Sequence, residues 1–291
     1  MIALTLLACG GGDRHPSVVE DLRILSIVAD PPEAAPGESV DITVLVADPK
    51  LRGSEVLIWT CGMYEGECAE SLMPFADWPV ITTLEVPLRE RELAGFYSRF
   101  AEQTQVTRTV PEDTEQIFEY LNPIPVALYA LACEPGLCPI IEDVRAAQLE
   151  GFADSDLLER LSDPSLWMYK LPMDGVSLAG QQLVISSSLP ELRNENPIFE
   201  ARFPEAFEPI LRVPAGGELE VAFFTDDPNA EKVYGYAYTT IGAFEERRVK
   251  EEDNGIRNWL QVSGVGEGRL YMVFEDRDGG SAIWTQQIEV Y

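Results

Sequence analysis

Apolar and polar side chains alternate over residues 40–46. Val40, Ile42, Val44 and Val46 fall on one face at a period of two, while Asp41 and Thr43 fall on the other. That is the mark of a half-buried antiparallel strand. The stretch belongs to an internal repeat. Residues 36–49 (PGESVDITVLVADP) align without a gap with residues 215–228 (AGGELEVAFFTDDP). Gly37 falls on Gly216, Ile42 on Val221, Val44 on Phe223, and Asp48-Pro49 on Asp227-Pro228. The same offset carries Leu57, Trp59 and Thr60 onto Tyr236, Tyr238 and Thr239. Each copy reads as a turn, an alternating strand, an Asp-Pro turn and a second strand. Two copies bracketed by turn signals predict a mainly β chain of two antiparallel β-sandwiches.

The first domain, 21–190, is longer than the roughly 100 residues of a simple sandwich. The excess, about 69–170, reads mainly as a helical insertion. Residues 89–100, 113–121 and 142–149 space apolar side chains three or four apart. Residues 154–161 begin at a candidate N-cap, Asp154 or Ser155. Residues 126–132 read as a buried strand and 181–187 as the last strand of the domain. The polar, Pro-flanked stretch 189–197 reads as a linker. In the second domain, 191–291, residues 267–274 and 282–290 flank a Gly-rich turn at 276–280 and predict a terminal hairpin. Residues 244–258 read as a charged, exposed connection. Tyr234, Tyr236 and Tyr238 alternate on one face of a predicted strand. They suit a sandwich core, or a platform for a partner, because Tyr is favoured where one side stays wet.

The first nine residues, MIALTLLAC, end in Leu6-Leu7-Ala8-Cys9. This resembles the lipobox of bacterial lipoproteins. The resemblance implies that residues 1–8 are a signal remnant and that Cys9 carries a diacylglyceryl group. Residues 9–20 would then be the lipidated Cys and a flexible tether, with His15 in it. Gly10, where inner-membrane lipoproteins of enterobacteria carry Asp, implies an outer-membrane destination. No Lys or Arg precedes Cys9, so the positive n-region of a signal peptide is missing. We read the start as placed too late.

Four further cysteines, Cys61, Cys68, Cys133 and Cys138, allow three disulfide connectivities in an exported chain. The local pairs Cys61–Cys68 and Cys133–Cys138 are favoured, because each interval contains a Gly that helps two Cα atoms approach. A four-thiolate zinc site would want tighter C-x2-C-like spacing.

The strand at 22–28, the Asp-Pro-Pro turn at 30–32 and Pro36-Gly-Glu-Ser-Val40 resemble the immunoglobulin-like sandwiches of bacterial surface proteins. On that resemblance Trp59 takes the place of a core aromatic. No Cys lies in 40–46, so the inter-sheet disulfide of antibody domains is absent. The lipobox with its Gly run, together with residues 22–49, 171–179 and 194–197, is similar to a group of myxobacterial-type lipoproteins of uncharacterised function. That similarity implies a surface-anchored protein and supplies no catalytic residues.

Composition narrows the function. Hydrophobic residues make up 46% of the 291, enough for a core, and 21 basic against 50 acidic residues give a net charge of −29. Both domains are acidic, which argues against nucleic acid and against anionic membrane surfaces as partners. The single His excludes chemistry that needs two. Ser186–Ser188 therefore have no base to activate a nucleophile. Asp276, Asp278 and Gly279 look like part of a calcium loop, and Asp226 and Asp227 would add carboxylates if loops converge, but strands flank the motif, so turn chemistry is expected. An enzyme reading is a carboxylate-based hydrolase of envelope or extracellular polysaccharide. It would use Glu90, Glu92 and Glu119 beside Trp78, Tyr97, Tyr120 and Trp167, in a cleft of the insertion. The expected function is instead a non-catalytic binding or structural role at the cell envelope, toward a protein or glycan partner.

Overall fold

The computed structural model describes residues 17–50, 52–64, 67–68, 80–84, 101–110, 123–150, 155–163, 167, 170–172, 174–188, 193–203, 210–224, 233–250, 255–277 and 279–291. The two repeat copies lie at the centres of two immunoglobulin-like sandwiches with the same strand order. In the first, β1 (Arg23–Asp30), β3 (Ser39–Ala47) and β7 (Ala101–Thr109) form a three-stranded antiparallel sheet. Facing it are β2 (Glu33–Ala34), β9 (Val176–Ile185), β8 (Ile124–Cys133), β4 (Ser54–Tyr64) and β5 (Glu67–Cys68), with β6 (Val80–Leu84) also on β4.

In the second sandwich, β10 (Glu200–Phe203), β12 (Glu218–Phe224), β16 (Gly255–Gln261) and β14 (Ala243–Phe244) form one sheet. The other contains β11 (Ile210–Val213), β18 (Ser281–Val290), β17 (Gly266–Glu275), β13 (Tyr234–Thr239) and β15 (Arg248–Lys250). In each unit the second strand crosses to the opposite sheet and pairs in parallel with the last strand, β2 on β9 and β11 on β18.

The repeat governs local geometry too. Gly37 and Gly216 both adopt positive φ, 80° and 75°, which a side chain would disfavour. Each turns its N–H onto the equivalent carbonyl across the sheet, Val110 at 2.8 Å and Val262 at 3.2 Å. The predicted face of β3 is where expected: Val40, Ile42, Val44 and Val46 are buried against Val56 and Ile58 of β4 and Val126 and Leu128 of β8. In the second unit Val221, Phe223, Ile256 and Leu260 meet Leu270, Met272 and Phe274.

Among the described residues the expected helical insertion is part strand and part helix. β6, β7 and β8 lie within 69–170 and belong to the sandwich itself. The predicted helices at 89–100 and 113–121 lie outside the described residues. The helical part of those described is α1 (Pro139–Glu150), α2 (Ser155–Ser162) and the turn at Trp167. These cover the second face of the six-stranded sheet, where Leu57, Trp59, Leu131 and Cys133 pack against Ile140, Ile141, Val144, Leu157 and Leu161. A disulfide joins Cys133, at the end of β8, to Cys138, just before α1. It ties the helical layer to the strand it covers.

Trp59 is thus not an inter-sheet core aromatic. Successive side chains of a strand point to opposite faces, and Val56 and Ile58 already take the inner face of β4. Trp59 is fully buried on the other one, stacked on Tyr129 at 5.2 Å, and its indole N–H donates to the Leu161 carbonyl at 2.9 Å. Residues 244–258 are likewise not a simple connection, because β14, β15 and the first half of β16 occupy much of them.

Replacing Trp59 with Ala removes the largest side chain under the helices and orphans the Leu161 carbonyl. We expect a loss of about 3–5 kcal/mol in unfolding free energy. In amide exchange, α1 and α2 should lose protection before the inter-sheet core does.

Candidate partner surface at the seam between the two units

In β13, Gly235 and Ala237 face the core of the second sandwich, and Gly235 has a packing reason: a Cβ there would lie 2.9 Å from Ile256 Cγ2. The three tyrosines consequently share the opposite face, away from their own sandwich core. Tyr238 is buried against Tyr271 and Val273 of β17, and against Leu25, Leu45 and Ala47 of the first unit, with Tyr236 partly buried beside them. The core alternative for the tyrosines is therefore corrected. Tyr238 contributes to a seam between the sandwiches, and its repeat equivalent, Trp59, is covered in the same way by helices.

Polar contacts close the seam. Ser17, Val18 and Val19, expected in the flexible tether, lie along β13: the Val19 N–H donates to the Thr239 carbonyl and the Thr239 N–H to the Ser17 carbonyl, both at 2.8 Å. The Phe244 N–H donates to Ser17 Oγ at 3.0 Å, and Val19 is buried in the seam. A pair of β-branched residues beside an open strand edge gains both backbone partners and apolar burial, which a solvated tether lacks.

The expected linker is also fixed where it is described. The Asn196 side chain donates to the Ala29 carbonyl at 2.9 Å and accepts from the Ser281 N–H at 2.8 Å, joining the units. The Asn194 N–H donates to Glu33 at 2.9 Å, and Arg193 pairs with Glu38 at 2.5 Å. Gln181 of β9 donates to the Gly279 carbonyl and to Ser281 Oγ.

Beyond the seam, the tyrosine face carries cations. Register sets Lys250 opposite Tyr234 and Arg248 opposite Tyr236. The Arg248 guanidinium lies 3.9 Å from the Tyr234 ring centre and 5.7 Å from that of Tyr236, within cation–π range. Arg277 donates to the Tyr234 hydroxyl at 3.3 Å. That bond, with Arg248 and Lys250 nearby, draws the Tyr234 phenol below its ordinary pKa. Burial, and then the Glu275 charge, push Tyr236 above it. Burial also raises the pKa of Glu275, against the pull of Arg248 and Arg247. In the middle of the seam Arg23 and Arg247 lie 5.1 and 5.6 Å from the Tyr238 ring centre. The result is a half-exposed tyrosine–arginine strip on a rigid base, suited to holding a ring or a planar polar group.

The other sequence candidates separate. Asp276 serves its own turn: its carboxylate accepts from the Gly280 N–H at 2.8 Å, and its N–H donates to the Gly280 carbonyl. Asp226, Asp227 and Asp278 lie outside the described residues, as do Cys9, Trp78, Glu90, Glu92, Tyr97, Glu119 and Tyr120. Among the described residues no group of three metal-binding side chains occurs. Trp167 is buried under α2, its indole N–H on the Arg160 carbonyl at 2.7 Å, so it presents no face to a sugar. Among the described residues, the carboxylates with raised pKa, Asp48 and Glu275, lie on different units and outside 69–170. Of the cysteine pairs, Cys133–Cys138 is formed. For the other pair, register sets Cys68 opposite Met63, two positions along β4 from Cys61.

No family model matches the chain, and no curated protein matches it. Among solved structures it is similar to Escherichia coli alpha-2-macroglobulin activated by porcine elastase. That match has 10% identity and a TM-score of 0.25 and covers 96% of this chain and 22% of that one. It is also similar to an ICAM-5 D1–D4 ectodomain fragment, at 12% identity and a TM-score of 0.21, covering 94% of this chain and 54% of that one. The chain thus spans less than two thirds of either structure. At these scores neither likeness adds to what the sheets themselves show.

Two outcomes test the seam and its electrostatics. Leu45→Ala empties apolar volume between the units and should cost about 2–5 kcal/mol. Calorimetry should then resolve two melting transitions in place of one. Glu275 has a folded-state pKa above its unfolded value, so the folded protein binds the extra proton. Stability is therefore lost as pH rises from the unfolded carboxylate pKa through the raised folded one. Glu275→Gln should raise the melting temperature at neutral pH, and the gain should shrink toward zero below pH about 4.

Proposed function

We propose that the chain is a lipid-anchored protein of the bacterial cell envelope, of the myxobacterial type its N-terminus and motifs resemble, and that it binds a protein or glycan partner without catalysis. The observation that carries this reading is the tyrosine–arginine strip of Tyr234, Tyr236 and Arg248. It is the part of the predicted tyrosine face that the seam leaves partly exposed, on two sandwiches joined by Asn196 and by the strap at Ser17–Val19. Such a base keeps aromatic groups in place and lowers the ordering cost of binding.

Lipidation at Cys9 supplies the anchor in this reading, and Gly10 directs the protein to the outer membrane. The eight residue-to-residue steps from Cys9 to Ser17 set a reach of at most about 28 Å, so the strap holds the seam close to the bilayer. Acyl chains, not surface charge, then provide the membrane affinity, which suits a chain of net charge −29. Trp167, an aromatic the hydrolase reading would use, is spent on packing.

The test has two parts. Metabolic labelling with a radioactive fatty acid should mark the protein in an envelope fraction, and Cys9→Ala should abolish the label; an unlabelled wild-type protein would refute the anchor. Calorimetric titration with polysaccharide and protein fractions of the same envelope should find a binder. The double substitution Tyr234→Ala, Tyr236→Ala should weaken it about tenfold or more, in line with the contribution of well-packed interface aromatics. Unchanged affinity would remove the strip from the function.

A further inference from the structure

The tyrosine–arginine strip is a local excess of positive charge on a chain of net charge −29. Other exposed cations face carboxylates: Lys50 pairs with Asp21, Arg52 with Glu134 and Arg212 with Glu289. Arg248 and Lys250 are exposed too, yet among the described residues neither makes an ion pair. Between them Val249 turns inward to the second core. The two cations therefore share the outward face with Tyr236 and Tyr234, two residues and about 7 Å apart along β15. Arg277 adds a third cation, bonded to the Tyr234 hydroxyl. The carboxylate across from Tyr234 on β17, Glu275, is half-buried and makes no ion pair among the described residues. At physiological salt, exposed charges more than about 8 Å apart are largely screened. The acidity of the rest of the surface therefore does not cancel this excess.

The guanidinium of Arg248 is held in place without being used up. It lies 3.9 Å from the Tyr234 ring centre, and contact with a ring satisfies none of its N–H donors. Among the described residues no hydrogen bond takes them. A positioned guanidinium with free donors is a fork for a planar anion such as a carboxylate. The half-exposed rings of Tyr234 and Tyr236 add apolar surface beside it. The matching ligand thus joins carboxylates to ring-shaped apolar surface, as a chain of uronic acid sugars does. An acidic peptide fits less well. Extended peptides are held by strand edges through backbone bonds, whereas the strip is a sheet face of side-chain tips.

We propose that the strip binds an acidic polysaccharide, with a uronate carboxylate on the Arg248 fork and a second anionic group at Lys250. The inference rests on the reading of the strip as a partner surface and names the chemistry that partner presents. Charge selects the ligand here, and the tyrosines orient it.

The test is calorimetric titration of the full chain with oligogalacturonate, with its neutral methyl ester and with polyglutamate. Oligogalacturonate should bind, and the other two should bind about tenfold more weakly or not at all. Arg248→Ala and Lys250→Ala should each weaken oligogalacturonate about tenfold or more. Arg248→Lys keeps the charge and loses the fork, so it should restore only part of the affinity. Arg257→Ala removes an exposed cation on the four-stranded sheet and should leave the affinity unchanged. Three results would each overturn the proposal: no binding of oligogalacturonate, equal binding of the ester or of polyglutamate, or an equal loss from Arg257→Ala. Circular dichroism shows that each variant keeps its fold, and if one Ala variant unfolds, the other decides. Envelope fractions that bind through Tyr234 and Tyr236 while oligogalacturonate does not would sink this inference and leave the partner reading standing. Failure of both would sink both.

Discussion

The structure depends on burying strands on both faces. In an isolated sandwich each sheet has one wet face, and its strands alternate apolar with polar. Here the later part of β3 and the middle of β17 have none. Leu45 and Ala47 of β3 alternate with the core residues Val44 and Val46, and Tyr271 and Val273 of β17 alternate with Met272 and Phe274. These second faces need a cover. The helical layer covers the six-stranded sheet, and the two sandwiches cover each other. Four apolar clusters alternate with five layers: helices, six-stranded sheet, three-stranded sheet, five-stranded sheet and four-stranded sheet.

This stacking gives the function its geometry. Two sandwiches on a free linker would place their surfaces at variable angles. Asn196 bonds one unit through the Ala29 carbonyl and the other through the Ser281 N–H, while the strap at Ser17–Val19 enters the same seam. In the proposed anchored state, tension from the membrane falls on the strap and is shared by both units. The tyrosine–arginine strip occupies the margin of that seam, where Tyr238 is fully committed to packing and Tyr234 is not.

Much of this was legible in the chain. The repeat predicted two sandwiches, and its glycines, strand faces and hairpin are where period-two alternation sets them. Residues 142–149 are helical as their apolar spacing implies, residues 155–161 are helical just after the predicted N-cap, and the local pair Cys133–Cys138 is bonded. Of the strands inside 69–170, β8 is where 126–132 predicted it, while β6 and β7 were missed because helical spacing in neighbouring segments dominated the reading. β7 is polar on one side and has little apolar signal of its own. β16 was missed because its charged approach, residues 244–254, masks the alternation of Ile256, Asn258 and Leu260 that follows.

A signal for the seam was present but ambiguous. The runs Val44-Leu-Val-Ala47 and Leu270-Tyr-Met-Val-Phe274 are apolar at every position, which says that both faces are covered and does not say by what. Linear order fixed which strands form and which face meets the inner core, since alternation is a property of neighbours along the chain. Only the tertiary structure decided what lies over the second face, because that partner is distant in sequence and is selected by shape and by groups such as Asn196 that satisfy both sides. The same decision made Tyr238 part of a joint, left Tyr234 and Tyr236 partly open, and turned the end of an apparent tether into a buried strap.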